Sequence, residues 1–443
     1  MLITAINFLL SLSLLIILHE LGHFIPARLF GTRVEKFFLF FDINFSLFKK
    51  KIGETLYGIG WLPLGGYVKI AGMIDESMDK EQMVQEPQPW EFRSKPAWQR
   101  LIIMLGGVFV NVVVGFLIYI LLIFTQGTPE SLGTDYKYGM GYPKVLEKVG
   151  FQQGDQPILV NGDTLERAPL LNKYFLVRDV KTVTVMRDGA PVEIQIPEDI
   201  GDRIFKAGAK PILTGRFPFK IEEITPGSYA EDLGVEEGGT VTSIAGHPIR
   251  YQTDVDYAVN NFTTDDEEFT LVTEKGGVVK EYSFLKDEEF KKEGFGILML
   301  TTDMEFTKQG RREYSFTESI SAGISKGYWT MHDYLAQMKY LFSAEGASQL
   351  GGFGTIAKLY PDSFDWVAFW STTAWISFVL AVMNILPIPA LDGGHVMFLL
   401  YEMITGRPPG EKFMERAQIV GIVILLALML FANGNDLYRW LFG

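Results

Sequence analysis

The sequence contains no cysteine. That removes thiol nucleophiles, disulfides and thiolate metal sites together, so any part of the chain in an oxidising compartment must fold without cross-links. Histidine is scarce, with five in 443 residues, and any imidazole chemistry therefore has few candidates. Basic residues are outnumbered: 40 Lys and Arg against 53 Asp and Glu give a formal net charge of −13. Binding to phosphate backbones needs clustered cations, so no nucleic-acid partner is expected. The excess acid sits mid-chain, in runs such as Asp265 to Glu268 and Asp287 to Glu289, and reads as solvated surface.

What the chain has in abundance is apolar side chains, 48% of the total, gathered into separate runs. Four runs approach the roughly 20 residues that a helix needs to cross a bilayer. They are Leu2 to Phe24, Leu101 to Phe124, Trp366 to Leu386, and the shorter Ala417 to Ala432 with its flanks. The first lacks a positive n-region and an A-x-A-like cleavage site, which argues against a signal peptide. Arg28, Arg33, Lys36, Lys49, Lys50, Lys51, Arg93, Lys95 and Arg100 lie between the first two runs, and Arg407, Lys412 and Arg416 between the last two. The positive-inside rule makes those connections cytoplasmic. Both termini and the connection from about Gln126 to Asp365 then fall on the other side of the membrane.

That long connection repeats itself. "VGFQQGDQPILVNGDTL" (149 to 165) aligns with "LGVEEGGTVTSIAGHPI" (233 to 249), with Gly150, Gly154 and Gly162 matching Gly234, Gly238 and Gly246. Each copy runs through a glycine turn, a β-type stretch, a hairpin glycine, a helix and further strands, as two tandem α+β domains would. The "GF-x-x-GD … VNG" run resembles the PDZ family, whose members bind extended peptides by adding a strand to a sheet edge. The resemblance implies partners that are extracytoplasmic peptides or polypeptide termini; a purely steric role is the alternative.

The chemistry lies at the membrane. His19 and His23, four apart, project from one helix face, a spacing that brings two imidazoles to one zinc. Glu20 stands beside them to take a proton from metal-bound water. Ionisable groups inside a span are costly unless they serve a function. A third ligand is needed, and "MNILPIPALDGGH" (383 to 395) offers Asp392 and His395, which the residues alone leave tied. His247 and His332 have no partner at ligand spacing and read as surface residues.

HELGH in the first run and "N-x-x-P-x-P-x-LDGGH" at the end of a later one resemble the site-2 protease family of intramembrane zinc metalloproteases. With the tandem PDZ-like insert, the resemblance narrows to the bacterial regulator-of-sigma-E protease branch. It implies one Zn2+ held by His19, His23 and Asp392, with Glu20 as general base. It also implies single-span membrane substrates, of anti-sigma-factor or remnant-signal-peptide type, trimmed beforehand on the far side of a bacterial inner membrane, with the PDZ pair as a size filter. "GWLPLGGYVKIAGM" (60 to 73) is similar to the family's membrane-associated β-like loop, and Gly65, Gly66 and Tyr67 become candidates for substrate contact. Asn384 either bonds an extended substrate backbone or satisfies its own helix before Pro387 and Pro389. Gly107, Asn111 and Gly115 in "GGVFVNVVVG" read as a helix-packing face. "QLGGFGTIAKLYPDSF" (349 to 364) resembles a lid-like segment.

The expected fold is thus a polytopic α-helical membrane protein with about four transmembrane helices, a β-like loop and two inserted α+β PDZ-like domains. The expected division is 1–125, first two spans; 126–215 and 216–305, the PDZ-like pair; 306–365, a linker and amphipathic segment; 366–443, last two spans. The alternative function is a non-proteolytic membrane sensor or scaffold with a structural zinc.

Overall fold

In the computed structural model the described residues are 2–63, 65–73, 86–207, 213–299, 310–342 and 350–442. Parts of the expected β-like loop (64) and of the expected linker (306–309 and 343–349) lie outside them. The chain divides into two compact units, residues 1–127 with 313–443, and residues 128–312.

The first unit carries six helices of fourteen residues or more among the described residues: α1 (Leu2–Leu29), α2 (Ala97–Gln126), α3 (Phe316–Gln337), α4 (Trp366–Ile385), α5 (Asp392–Thr405) and α6 (Glu411–Phe442). Four of them, α1, α2, α4 and α6, are long and apolar enough to cross a membrane. The last is far longer than its apolar run suggests, because its polar C-terminal residues are bonded rather than left in lipid. Asp436 accepts from the backbone N–H groups of Gly352 and Thr355 at 3.0 and 2.9 Å, and Asn433 accepts from that of Phe353 at 3.1 Å.

Helix packing follows small residues, as it must where lipid supplies no hydrophobic drive. At the α1–α2 crossing a Cβ on Gly22 would lie 2.3 Å from the Gly106 carbonyl oxygen. Gly323 and Gly327 of α3 sit against Ile120 and Phe116 of α2 in the same way. That amphipathic helix starts with a capping box between Ser315 and Glu318. Ser11 of α1 receives hydroxyl bonds from Thr373 of α4 at 2.9 Å and from Tyr360 at 2.5 Å.

Helix α1 ends in a Schellman turn: Gly31 takes φ +67°, its N–H bonds the Arg28 carbonyl, and the Thr32 N–H bonds that of Ala27. The chain then enters a four-stranded sheet of β1 (Val34–Leu39), β2 (Phe41–Ile52), β3 (Thr55–Leu62) and β4 (Tyr67–Ile70), in the order β2-β3-β1-β4. β1 runs parallel to β3 and antiparallel to β4. The β-like stretch is thus the end of a larger sheet, whose β4 edge carries no further strand among the described residues. A core of Ala27, Val34, Ile70, Ile103, Met104, Val396 and Leu399 binds sheet, α1, α2 and α5 together.

The second unit contains two apolar cores, one spanning Met140 to Leu213 and the other Phe219 to Phe290. Over each sits a four-stranded sheet. In the first the chain order is Gln156–Val160, Asp163–Thr164, Thr182–Arg187 and Ala190–Gln195; in the second it is Thr240–Ile244, His247–Pro248, Glu268–Lys275 and Val278–Leu285. Spatial order is the same in both, with the fourth, third, first and second strands side by side. All six glycines aligned between the copies take positive φ, and the hairpin pairs Asn161–Gly162 and Ala245–Gly246 are both left-handed, as a type I′ turn requires. The first copy adds a buried pair: Arg187 forks onto Asp155 at 2.8 and 2.7 Å, and the second copy has Gly239 at the aligned position.

Candidate metal centre

Four residues apart on α1, His19 and His23 bring their Nε2 atoms to 3.3 Å of each other. Asp392, the first residue of α5, places Oδ2 3.4 Å from each. Donors bonded at about 2.0–2.1 Å to a tetrahedral zinc lie about 3.3–3.4 Å apart, so this triangle has the edge length that such an ion demands. Asp392 Oδ2 is buried without a hydrogen-bond partner among the described residues, a costly arrangement that a cation in the triangle relieves. Among the described residues no other cluster of three His, Asp or Glu side chains could hold a metal. The donors fit zinc.

The imidazoles are oriented from behind. His23 Nδ1 lies 2.8 Å from the Ile103 carbonyl, which accepts its proton and leaves the Nε2 lone pair facing the triangle. His19 Nδ1 lies 3.2 Å from Nδ2 of Asn111, whose side chain is fully buried and can turn its amide over in place. With the Asn111 oxygen turned to that nitrogen, the His19 ring gains the same tautomer. Gly107 makes the space: a Cβ there would lie 2.4 Å from His23 Nε2 and 2.6 Å from His19 Cε1.

Asp392 is delivered by the loop after α4. Ala390 has φ +89°, a strained value for a residue with a Cβ, and it turns the chain into α5. The two glycines of LDGG let the loop fold back on that helix start, since a Cβ on Gly393 would meet the Leu386 carbonyl and one on Gly394 the Pro389 backbone.

The other residues singled out by sequence fall as follows. Glu20 neighbours both histidines and Asp392, and its carboxylate comes near the Val68 backbone on β4. Gly66 packs close to Ile16 and to the Glu20 side chain, and Gly65 against the Phe41 ring. Tyr67 stacks on Phe38 and Phe41 and donates to Asp42 at 2.8 Å, so its ring is held within the sheet. Asn384 Nδ2 lies 3.4 Å from His19 Nε2, beside the triangle. His395 lies outside the triangle, in the wall of a small cavity with Arg100, Glu402 and Gln418.

The sequence profile of peptidase family M50 matches residues 7–428. The chain belongs to that family. Relatives named as zinc metalloproteases include one from Neisseria meningitidis, 28% identical over 99% of both chains. Another, from Campylobacter jejuni, is 27% identical over 97% of this chain and 92% of its own. A third, from Vibrio cholerae, is 26% identical over 98% of each. The protein is therefore an M50 metalloprotease of the membrane, with zinc as its metal. In this M50 peptidase the sequence reading missed the contact of Asn111 with His19 and the role of Gly107 in clearing the imidazoles. Their shared helix face was visible; its partner was not.

Proposed function

We propose that this M50 peptidase cleaves single-span membrane proteins within or near the bilayer, with His19, His23 and Asp392 holding zinc and Glu20 as general base. The observation that carries the reading is the triangle of two Nε2 atoms and one carboxylate oxygen, with edges of 3.3 to 3.4 Å and Glu20 beside it. Three protein donors leave a coordination position open, as in catalytic zinc sites, whereas a structural zinc takes four. That favours the enzyme over the scaffold.

Zinc, when bound, supplies a Lewis acid that polarises a carbonyl and makes water acidic at neutral pH. The rest is done by the chain. The Ile103 carbonyl and the Asn111 amide hold the two imidazoles with Nε2 forward. Glu20 takes the proton of the attacking water at its carboxylate and passes it to the leaving nitrogen. A substrate helix must first be opened, and the free edge of β4 is suited to receive the unwound segment as an added strand, with Gly65 and Gly66 leaving room. Tyr67 shapes that edge from within the sheet, and Asn384 offers an amide to the strand beside His19.

The shared strand order and turn geometry of the two copies support reading them as PDZ-like domains that exclude untrimmed polypeptides. The basic connections support a topology with the metal motifs near the cytoplasmic face of a bacterial inner membrane and the PDZ-like pair in the periplasm. The tandem insert favours the regulator-of-sigma-E branch.

The test is Glu20→Gln in proteoliposomes with a single-span substrate. Zinc content should stay at the wild-type level while cleavage falls at least about a hundredfold. Turnover near wild type would remove Glu20 from the reaction, and a chelator-insensitive cleavage would remove the metal.

A further inference from the structure

A second polar site lies at the end of α1, distinct from the metal triangle. A cavity of about 400 Å³ is lined by Arg28, Gly31, Thr32, Arg33, Glu54 and Trp90. Two guanidinium groups face one carboxylate, and the pairing is loose: Arg28 Nη1 lies 3.6 Å from Glu54 Oε2 and Arg33 Nε 3.9 Å from Glu54 Oε1. Charge-assisted bonds are normally about 2.7–2.9 Å, so Glu54 does not satisfy either arginine. Two donors in the wall, Arg33 Nε and the Thr32 hydroxyl, are buried with no hydrogen-bond partner among the described residues, and Thr32 is only 2% exposed. Leaving such donors dry costs free energy that native structures usually recover with a ligand or water.

The neighbouring backbone acceptors already hold one bond each. The Schellman turn uses the carbonyls of Ala27 and Arg28 for the N–H groups of Thr32 and Gly31, and the Trp90 carbonyl is bonded by the Arg33 N–H. The Lys95 ammonium adds a third cation, 3.8 Å from where a Cβ on Gly31 would stand. Among the described residues the site therefore has donors and positive charge in excess, and it suits an anion with several acceptor oxygens.

Its position says which anion. The cavity opens at the end of a membrane-spanning helix, and Arg28 lies five residues beyond His23, about 7–8 Å further along the axis. Half-exposed Trp90 and Trp98 flank this end, the level where amphipathic rings and lipid headgroups meet. We propose that Arg28, Arg33 and the Thr32 hydroxyl form a phosphate site that takes the headgroup of an anionic phospholipid. The neutral tail lies along the apolar face of α1, and Glu54 sets the affinity by competing for the guanidinium groups. The proposal is independent of which leaflet this end occupies.

The test uses the purified full chain in neutral detergent, with retained lipid read by native mass spectrometry after exposure to phosphatidylglycerol or phosphatidylcholine, and with inorganic phosphate as competitor. The wild type should retain phosphatidylglycerol in preference to phosphatidylcholine and release it to millimolar phosphate. Arg28→Gln and Arg33→Gln should each weaken retention about tenfold, the loss expected for one charged hydrogen bond, and Glu54→Gln should hold the lipid at least as tightly as wild type. Wild-type retention by the Arg28→Gln/Arg33→Gln double variant, or equal retention of both lipids, overturns the proposal. Arginine-dependent binding of inorganic phosphate without any retained lipid overturns the lipid assignment. Arg33→Lys, which keeps the charge, and the thermal unfolding of each variant separate loss of the ligand from loss of the fold.

Discussion

Adding one methyl group at Gly107 should weaken the metal centre without replacing a ligand. The Cβ of Gly107→Ala would stand 2.4 Å from His23 Nε2, where ordinary van der Waals contact begins at 3.4 Å. The ring must therefore retreat by about 1 Å, and it is tethered at Nδ1 by a 2.8 Å bond to Ile103, so the retreat breaks that bond. Losing a neutral hydrogen bond costs about 0.5–1.5 kcal/mol and overpacking about 1–3 kcal/mol. The zinc-bound form carries most of this burden, because the free rings can turn away, and metal affinity should fall at least about tenfold to a hundredfold. The assay is zinc retained after equilibrium dialysis against a graded chelator, with cleavage measured alongside. Gly115→Ala is the control: it lies on the same helix face, but its Cβ meets the Phe378 ring instead, so it should lower stability and leave zinc affinity alone. Zinc affinity of Gly107→Ala within threefold of wild type, or an equal loss in Gly115→Ala, would refute the reasoning.

Asn111→Leu should cut zinc affinity about tenfold to a hundredfold at unchanged helix content, measured by the same dialysis, because the buried His19 Nδ1 then has no partner. Ala390→Gly should raise thermal stability by about 1 kcal/mol, since only the alanine Cβ makes φ +89° costly; a lower melting temperature would mean the strain is not there. Asp155→Ala should destabilise the inserted unit by about 2–4 kcal/mol, because it leaves the mostly buried Arg187 guanidinium with the Gly150 carbonyl but no carboxylate, and limited proteolysis of the full chain should show faster cutting there.

Much of the centre was legible because helical spacing is rigid: residues 19, 20 and 23 of one helix have their mutual directions fixed by the repeat alone. The third donor was not, because Asp392 and His395 sit three apart at a helix start and share a face. The turn at Ala390 and the fold-back of the loop onto Gly393 and Gly394 decide between them, and those are tertiary facts. Asn111 was read as packing because a periodicity names a face and not its neighbour. The fourth span was cut short at Asn433 for the opposite reason: polar residues look like an end unless the segment that bonds them is known. The long hairpin of β2 and β3 was also missed beyond its last turn. A signal was there, since Ile43, Phe45 and Leu47 alternate with Asp42, Asn44 and Ser46, the two-residue period of a strand, although the pairing register shifts twice between Phe41 and Phe48.

The crossing at Gly22 and Gly106 has a consequence for how the ion comes and goes. Backbones in direct contact leave α1 and α2 no room to slide, so the two imidazoles form a fixed jaw. The carboxylate comes from a separate short helix behind the proline loop, so the third donor is positioned independently of that jaw. Zinc release to a chelator should therefore respond to changes at positions 387 to 394, which set the carboxylate alone, separately from changes along α1, which set both imidazoles.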